Sequence, residues 1–239
     1  MRHLAGALAL FLALATPALA QDAPLDMLQG PDLAGRSVQL IALITILSIV
    51  PGIAVMVTCF PFLVTVLSIL RQALGLPTAP PNMVIVSLAL FLTWFIMDPV
   101  LTEAWTRGAG PFSRGEIELA QAIPVTVEPF RIFMAGRVDP DTFAQMQALR
   151  PGAIGPAVDA PLSLLVPSFM LSEIQRAFEI GFLVFLPFLI IDLVVAAVLM
   201  SMGMMMVPPA VVSLPFKLAF FVVADGWAIL SSALVRSYF

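Results

Sequence analysis

The feature that most constrains the fold of this chain is a long stretch without any charged residue, residues 37–70. A membrane-spanning helix needs about 20 consecutive apolar residues, so this stretch is longer than one span. Three further apolar runs follow, at residues 83–97, 180–200 and 211–234. In lipid every backbone polar group must be bonded internally, and continuous apolar runs favour helices. The sequence therefore predicts an all-α chain of membrane-type helices.

The overall composition supports a membrane protein and limits the possible partners. Hydrophobic residues make up 61% of the chain and charged residues 11%, whereas a soluble domain carries about 25% charged residues. The formal net charge is -4, and no basic patch is interleaved with aromatic residues. Nucleic acid is therefore not predicted as a partner.

The N-terminus has the pattern of a cleavable signal peptide over residues 1–20. Arg2 precedes an apolar run at residues 4–16, and Ala20 closes an A-x-A cleavage motif. The alternative is an uncleaved first span, but the run is shorter than the roughly 20 residues that a span needs. We predict cleavage between Ala20 and Gln21, followed by a flexible lead-in over residues 21–37.

Prolines interrupt the apolar runs. Pro51, which precedes Gly52, and Pro61 predict a kink or a break into two helices in the first run. Asp98-Pro99 is predicted to end the second span. The third span is predicted over residues 180–200, after an amphipathic lead-in at residues 172–179, and the fourth over residues 211–234.

These segments predict two membrane-type hairpins, at residues 38–102 and 172–239, separated by a polar region at residues 103–171. The polar region contains a helix start, because Asp139 can cap a helix and Pro140 suits its first position. We interpret it as a small extracytoplasmic helical region. Its arginines oppose the positive-inside rule, but long loops translocate largely regardless of charge. The conflict leaves open that the segments are not conventional spans.

The mature chain lacks the residues that common catalytic and metal sites need. Cleavage would remove His3, the only histidine, and Cys59 is the only cysteine. Zinc sites need a His/Cys set, and Ser-His-Asp or Cys-His catalysis needs a histidine. We therefore predict no enzyme, no catalytic residue, no cofactor and no metal. Cys59 is predicted to act as a small hydrophobe.

A cluster of methionines lies between the third and fourth runs and ends at Val207-Pro208-Pro209; its members are Met200, Met202, Met204, Met205 and Met206. Methionine is flexible and polarizable, and it adapts to whatever packs against it. A methionine-rich tip between two membrane-type segments therefore suggests a deformable seal. The alternative is a helix end that fills an irregular gap.

Two charges lie at matching positions on either side of this tip. Asp192 is 12 residues before Met204, and Lys217 is 12 residues after Met205. In a hairpin that turns between the two methionines, the charges stand at the same depth and can pair, which relieves the cost of burying each one. Such a salt bridge could serve hairpin insertion or join neighbouring subunits, and the sequence does not separate these alternatives.

Asp225 has no evident partner in the apolar segments, and its position allows two other hypotheses. Intramembrane aspartyl proteases share a proton between two aspartates, but Lys217 would hold Asp192 ionised, and the Gly-x-Gly-Asp context is missing before Asp225. A small-solute secondary transporter has proline-broken helices and buried charges, but this chain shows no two-fold internal repeat.

Several motifs resemble those of the flagellar biosynthetic protein FliP family, in the same order. They are LRQALG at 70–75, TAPPN at 78–82, ALFLT at 89–93, MLSEIQRAFEIGF at 170–182, FLIIDLV at 188–194, GMMMVPP at 203–209, LPFK at 214–217 and DGW at 225–227. The resemblance runs from about residue 41 to the C-terminus. Injectisome homologues share most of it, and the signal peptide and the VPP form favour the flagellar branch.

The resemblance implies a non-enzymatic core subunit of the type III export gate in the bacterial inner membrane, within the flagellar basal body. About five copies would assemble with the membrane partners FliQ and FliR into a helical cone that conducts unfolded flagellar proteins. It also implies that Met204, Met205 and Met206, with Met202 less directly, form a pore gasket. Asp192 and Lys217 would form an assembly salt bridge.

Overall fold

The computed structural model of the chain describes residues 31–239, except residues 77, 151, 153 and 154. Throughout these residues the regular elements are helices and there is no strand, which confirms the predicted all-α fold class. The predicted signal peptide and its cleavage site at Ala20 and Gln21 lie outside the described residues, as does most of the predicted lead-in. The first described helix begins at Pro31, so the end of that lead-in is helical.

The helices follow one another with short connections. In chain order the described α-helices are α1 (Pro31–Met56), α2 (Phe60–Ala73), α3 (Asn82–Ala104), α4 (Gly110–Ser113), α5 (Leu119–Arg137), α6 (Pro140–Ala148), α7 (Leu162–Ser201), α8 (Pro209–Val223) and α9 (Gly226–Arg236). One π-helical turn, Trp105–Ala109, joins α3 to α4. One turn of 3₁₀-helix, Ala157–Asp159, precedes α7.

The chain divides into two units, Met1–Val50 and Pro51–Phe239. The described part of the first unit is the beginning of α1, where apolar side chains such as Ile41 and Ile44 are exposed. The second unit contains two buried apolar clusters. One is built from α2, α3 and α7 together with α8 and α9, and the other from α5, α6 and the first turns of α7.

Two helical stretches, Asn82–Ser113 and Leu162–Ser201, are long and apolar enough to cross a membrane. Two bent helix pairs, Ser48–Met56 with Phe60–Ala73 and Pro209–Val223 with Gly226–Arg236, raise the number to as many as four by length and composition. Helix α7 alone has 40 residues. At 1.5 Å per residue it is about 60 Å long, roughly twice the thickness of a bilayer's hydrocarbon core.

The first apolar run breaks at only one of the two prolines that predict an interruption. Helix α1 continues through Pro51, and the break lies at Val57–Cys59, so that Pro61 falls in the first turn of α2. There the Thr58 hydroxyl donates to the Val55 carbonyl oxygen (3.0 Å) and accepts the Phe60 amide (3.4 Å). A proline in the first helical turn removes no helical hydrogen bond, whereas Pro51 removes only one.

The prediction that Asp98-Pro99 ends the second span was wrong. Helix α3 continues through Pro99 to Ala104, and the π-helical turn follows. Helix α5 packs closely on this turn, since a Cβ on Gly108 would lie 2.1 Å from the Thr126 hydroxyl oxygen. A proline inside an apolar helix is tolerated when the surrounding structure compensates for the missing hydrogen bond.

Helix α7 is continuous where the sequence predicted a separate lead-in and span. It begins at Leu162 and passes through Pro167 and Pro187, so the predicted boundary at residue 171 falls inside a helix. Residues at spacing four are buried in its first half: Leu165, Phe169, Glu173, Ala177 and Gly181. This stripe packs first on α5 and α6 and then on α2, so tertiary packing extends the helix upstream of the apolar run.

The segment predicted as the fourth span, residues 211–234, is not one helix but two. Helices α8 and α9 meet at a 62° bend, where Asp225 adopts the left-handed conformation with φ of 50°. The next residue, Gly226, packs so closely on Phe221 that a Cβ would lie 2.2 Å from its ring. Aspartate is one of the few residues other than glycine that adopt this conformation, so the change of direction occurs at Asp225 and not at a glycine.

The predicted helix start in the polar region is confirmed. Asp139 caps α6 by accepting the Thr142 amide (2.8 Å), and Pro140 occupies the first turn. This backbone hydrogen bond lowers the pKa of Asp139. Because the folded chain favours the charged carboxylate, the cap stabilises the fold near neutral pH. This stabilisation is lost as the pH falls through the lowered pKa of Asp139.

Helices α2 and α7 also pack closely on each other. A Cβ on Gly181 would be 2.3 Å from Ile69 Cδ1, whereas Gly136, near the end of α5, has nothing within 4 Å of that position. We expect Gly181→Leu to destabilise the chain by about 1–3 kcal/mol through overpacking. The matched variant Gly136→Leu should be neutral or stabilising, since leucine favours helix over glycine by up to about 1 kcal/mol. Thermal unfolding in detergent measures both, and equal melting temperatures would contradict this packing.

Candidate functional site

The connection between α7 and α8 is a defined turn that presents the methionine cluster. Gly203 has a φ of 75°; its amide donates to the Met200 carbonyl oxygen and the Met204 amide donates to that of Leu199, both at 3.0 Å. This pair of hydrogen bonds is the Schellman motif, which ends a helix with a residue of positive φ, usually glycine. Helix α8 then starts with Pro209 in its first turn.

The methionine side chains of this turn are largely free of protein contacts. The exposed fraction is 97% for Met206, 85% for Met205, 66% for Met202 and 37% for Met204. Large apolar side chains in this number do not stay exposed to water without a cost. Met202, Met205 and Met206 therefore do not fill a gap within the same chain, whereas Met204 is partly packed in it.

The structure brings together the two charges that the sequence places at matching depth. Lys217 Nζ on α8 lies 2.7 Å from Asp192 Oδ2 on α7. The Lys217 side chain is 6% exposed and the Asp192 side chain 34%. The pair therefore forms between two helices of one chain, and the second hairpin closes without a charge from a neighbour.

Two further groups, which the sequence analysis missed, complete this site. The Ser213 hydroxyl donates to Asp192 Oδ1 (2.6 Å), and Lys217 Nζ also donates to the Ala73 carbonyl oxygen (2.9 Å). Ala73 is the last residue of α2, where carbonyl groups lack helical partners and carry partial negative charge. Lys217 thus joins three helices. Ser213 lies one turn before Lys217, a spacing that could have indicated its role.

A second buried polar cluster surrounds Glu173, which is fully buried in α7. Its carboxylate accepts Arg137 Nε (3.2 Å) and Arg176 Nη1 (3.2 Å) at Oε1, and the Tyr238 hydroxyl at Oε2. Arg137 also donates to the Ser237 carbonyl oxygen (2.6 Å). The sequence analysis missed this cluster, because only Arg176 lies at helical spacing from Glu173 and the other partners are distant in sequence.

Tyr238 belongs to this cluster through its ring as well as its hydroxyl. The Arg137 guanidinium carbon lies 3.9 Å from the ring centroid, which is the geometry of a cation–π contact. Phe62 and Phe133 pack on the ring at centroid distances of 5.6 and 6.1 Å. The ring is therefore held by aromatic packing and by Arg137, while the hydroxyl donates its hydrogen bond to Glu173.

Asp225 is placed away from such partners. It is exposed at the bend between α8 and α9, and within the described part of the chain it forms no ion pair. Asp192 is engaged by Lys217 and Ser213. The geometry therefore offers no support for two aspartates that share a proton, which intramembrane aspartyl proteolysis requires.

These features define the class of the protein: a membrane-type all-α chain whose second hairpin is locked by a buried ion pair and ends in exposed methionines. The comparisons then identify the family. The FliP family model matches residues 43–234. The flagellar biosynthetic protein FliP of Caulobacter vibrioides is 47% identical over 92% of this chain and 84% of its own length. The chain therefore belongs to the FliP family.

Other relatives of the same name match with similar coverage. The flagellar biosynthetic protein FliP of Agrobacterium fabrum is 45% identical over 97% of both chains. That of Bacillus subtilis is 43% identical over 87% of this chain and 95% of its own. The family match begins well after the predicted signal peptide and covers most of both predicted hairpins and the whole methionine turn.

The burial of the ion pair predicts an asymmetric response to substitution. Asp192→Ala leaves a buried ammonium without its carboxylate and should destabilise the chain by about 3–5 kcal/mol. Lys217→Met should cost less, about 1–2 kcal/mol, because Asp192 keeps Ser213 and reaches solvent. Thermal unfolding of the detergent-extracted variants measures the difference.

The double variant Asp192→Ala with Lys217→Met is the matched control, and it should be more stable than Asp192→Ala alone. Equal losses for the two single variants, or additive losses in the double variant, would contradict a direct buried pair. The charge-swapped variant, Asp192→Lys with Lys217→Asp, should recover only part of the loss, because a carboxylate at position 217 would face the Ala73 carbonyl oxygen.

Proposed function

We propose that this chain is a core subunit of the flagellar type III export gate in the bacterial inner membrane, located in the flagellar basal body. It would form part of the channel through which unfolded flagellar proteins leave the cytoplasm. The observation that carries this proposal is the turn of exposed methionines at the tip of a charge-locked hairpin, in a chain of the FliP family.

The methionine turn is suited to a gasket at a pore. Met205 and Met206 are almost fully exposed, and Met204 and Met202 lie beside them on the same turn. Thioether side chains are flexible, so a ring of them can close when idle and yield to a passing chain of any sequence. An apolar constriction also stops ions, because water leaves it. Each copy in the assembly would contribute its turn to the same ring.

Assembly with other subunits explains the apolar surface that the folded chain leaves open. Phe91, Trp94 and Phe95 on α3 are each at least 60% exposed, as are Phe182 and Leu193 on α7. Because α7 is about 60 Å long, lipid tails alone cannot cover it. We propose that about five copies of the chain, with FliQ and FliR, cover these faces in a helical cone.

In this proposal the chain conducts substrates and catalyses no reaction. Its polar clusters hold helices together: Lys217 is bonded to Asp192 and to the Ala73 carbonyl oxygen, and Glu173 to Arg137 and Arg176. Each of these groups is engaged by a structural partner, so none is poised for proton transfer. The energy for export would come from other components of the apparatus.

The assembly is tested by the native mass of the detergent-extracted chain, expressed alone and together with FliQ and FliR. We expect a complex of about five copies that gains the two partners. A stable monomer or dimer under both conditions would contradict the export-gate proposal and favour a small-solute transporter. A strain that carries the chain as its only FliP protein tests whether flagellar subunits are the substrates, because it should secrete them.

The gasket is tested by the triple variant Met204→Ala, Met205→Ala and Met206→Ala. We expect it to raise ion conductance of the closed complex several-fold, because alanine fills less of the pore and cannot adapt to its neighbours. Membrane conductance in cells or in a planar bilayer measures the leak.

Met83→Ala is the matched control, since Met83 is 77% exposed but lies at the start of α3, away from the turn. It should leave the conductance unchanged. A triple variant that assembles normally and shows the conductance of the original chain would exclude these methionines as the seal.

A further inference from the structure

Helix α9 is joined to α8 by a bend at its first end, and just beyond its last residue Tyr238 bonds to Glu173. We infer that α9 is a movable arm, with a hinge at Ala224–Gly226 and a latch formed by Tyr238 on Glu173. Release of the latch would let α9 swing away and uncover the interior around Phe62 and Cys59. This inference concerns the folded chain itself and does not depend on the proposed channel.

The hinge end is a helix break in which a single residue absorbs the change of direction. Helix α8 ends at Val223 and α9 begins at Gly226, and Asp225 between them has a φ of 50°. The Asp225 side chain makes no capping hydrogen bond to α9. Hinges are a few residues at element ends that take up backbone change, and this break has that form.

The latch end is held by the Tyr238 ring, which packs on Phe62 and Phe133, and by polar contacts that can be broken separately from the buried ion cluster. The Tyr238 hydroxyl donates to Glu173, and Arg137 donates to the Ser237 carbonyl oxygen (2.6 Å). When Tyr238 leaves, the Glu173 carboxylate keeps Arg137 and Arg176. No uncompensated buried charge results, so the latch can open without disrupting the contact between α5 and α7.

The arm itself has little apolar anchoring. Its buried side chains are Leu230 and Leu234 alone, whereas Trp227 and Ile229 are 40% and 61% exposed. An open apolar cleft of about 350 Å³ lies beside it, lined by side chains of α2, α7, α8 and α9, among them Leu70 and Phe188. Segments with few buried apolar contacts open at a lower free energy than the whole fold.

Cys59 offers a natural reporter of this opening, because it is the only cysteine of the chain and is fully buried. It lies one helical turn before Phe62, on which the Tyr238 ring packs at 5.6 Å. In the detergent-extracted full-length chain, we expect Tyr238→Phe to raise the rate of Cys59 labelling by a maleimide. Loss of one hydrogen bond to a charged group predicts an increase of roughly tenfold to a hundredfold.

Ser232→Ala is the matched control, because it removes a hydroxyl from the same helix that bonds only to the Ile229 carbonyl oxygen. Its labelling rate should equal that of the original chain. Faster labelling in Tyr238→Phe alone, with the melting temperature of the whole fold nearly unchanged, supports the latch. An unchanged rate in Tyr238→Phe, or an equal increase in both variants, overturns it.

Hydrogen exchange of the unmodified chain tests the arm without any substitution. We expect the amides of α9 to exchange at least tenfold faster than those of α2 and of the first half of α7, because α9 opens alone. Equal protection of α9 and α2 would show that they unfold together and would overturn the inference, whatever the variants do.

Discussion

The buried ammonium group of Lys217 is the contact on which the second hairpin depends. Apolar contacts between such helices are non-directional, so they permit sliding and rotation of one helix on another. Lys217 removes this freedom because its bonds to Asp192 and to the Ala73 carbonyl oxygen must be satisfied together. Ser213 fixes the second carboxylate oxygen. We interpret this set of bonds as the device that sets the register of α8 against α7 and α2.

Helix α7 carries both polar clusters and ends in the methionine turn, so it acts as the axis of the fold. Glu173 lies in its first half, where α5 and α2 bury it, and Asp192 lies in the half that is largely exposed. The first cluster secures the helix within the core, and the second secures the hairpin that α7 forms with α8. The turn at Gly203 is thereby held at the end of a long helix, which suits the gasket that we propose for its methionines.

Sequence reasoning was accurate where the signal is local or symmetric along the chain. The Asp139 cap is a local pattern, and it is present in the structure. The matching positions of Asp192 and Lys217 about the methionine tip predict a pairing that the structure shows within one chain. It failed at Pro99, because a proline removes one helical hydrogen bond and the surrounding packing decides whether the helix ends.

The sequence by itself determined the helical class, the approximate apolar segments and the residues that form the methionine turn, because these follow from hydropathy, turn chemistry and motif order. Only the tertiary structure decided that α7 is one helix, that Asp225 divides the last segment, and that Tyr238 reaches Glu173. The physical reason is the range of the interactions. Hydropathy and turn preferences act over a few residues, whereas a buried carboxylate is satisfied by whichever donors the folded chain brings to it.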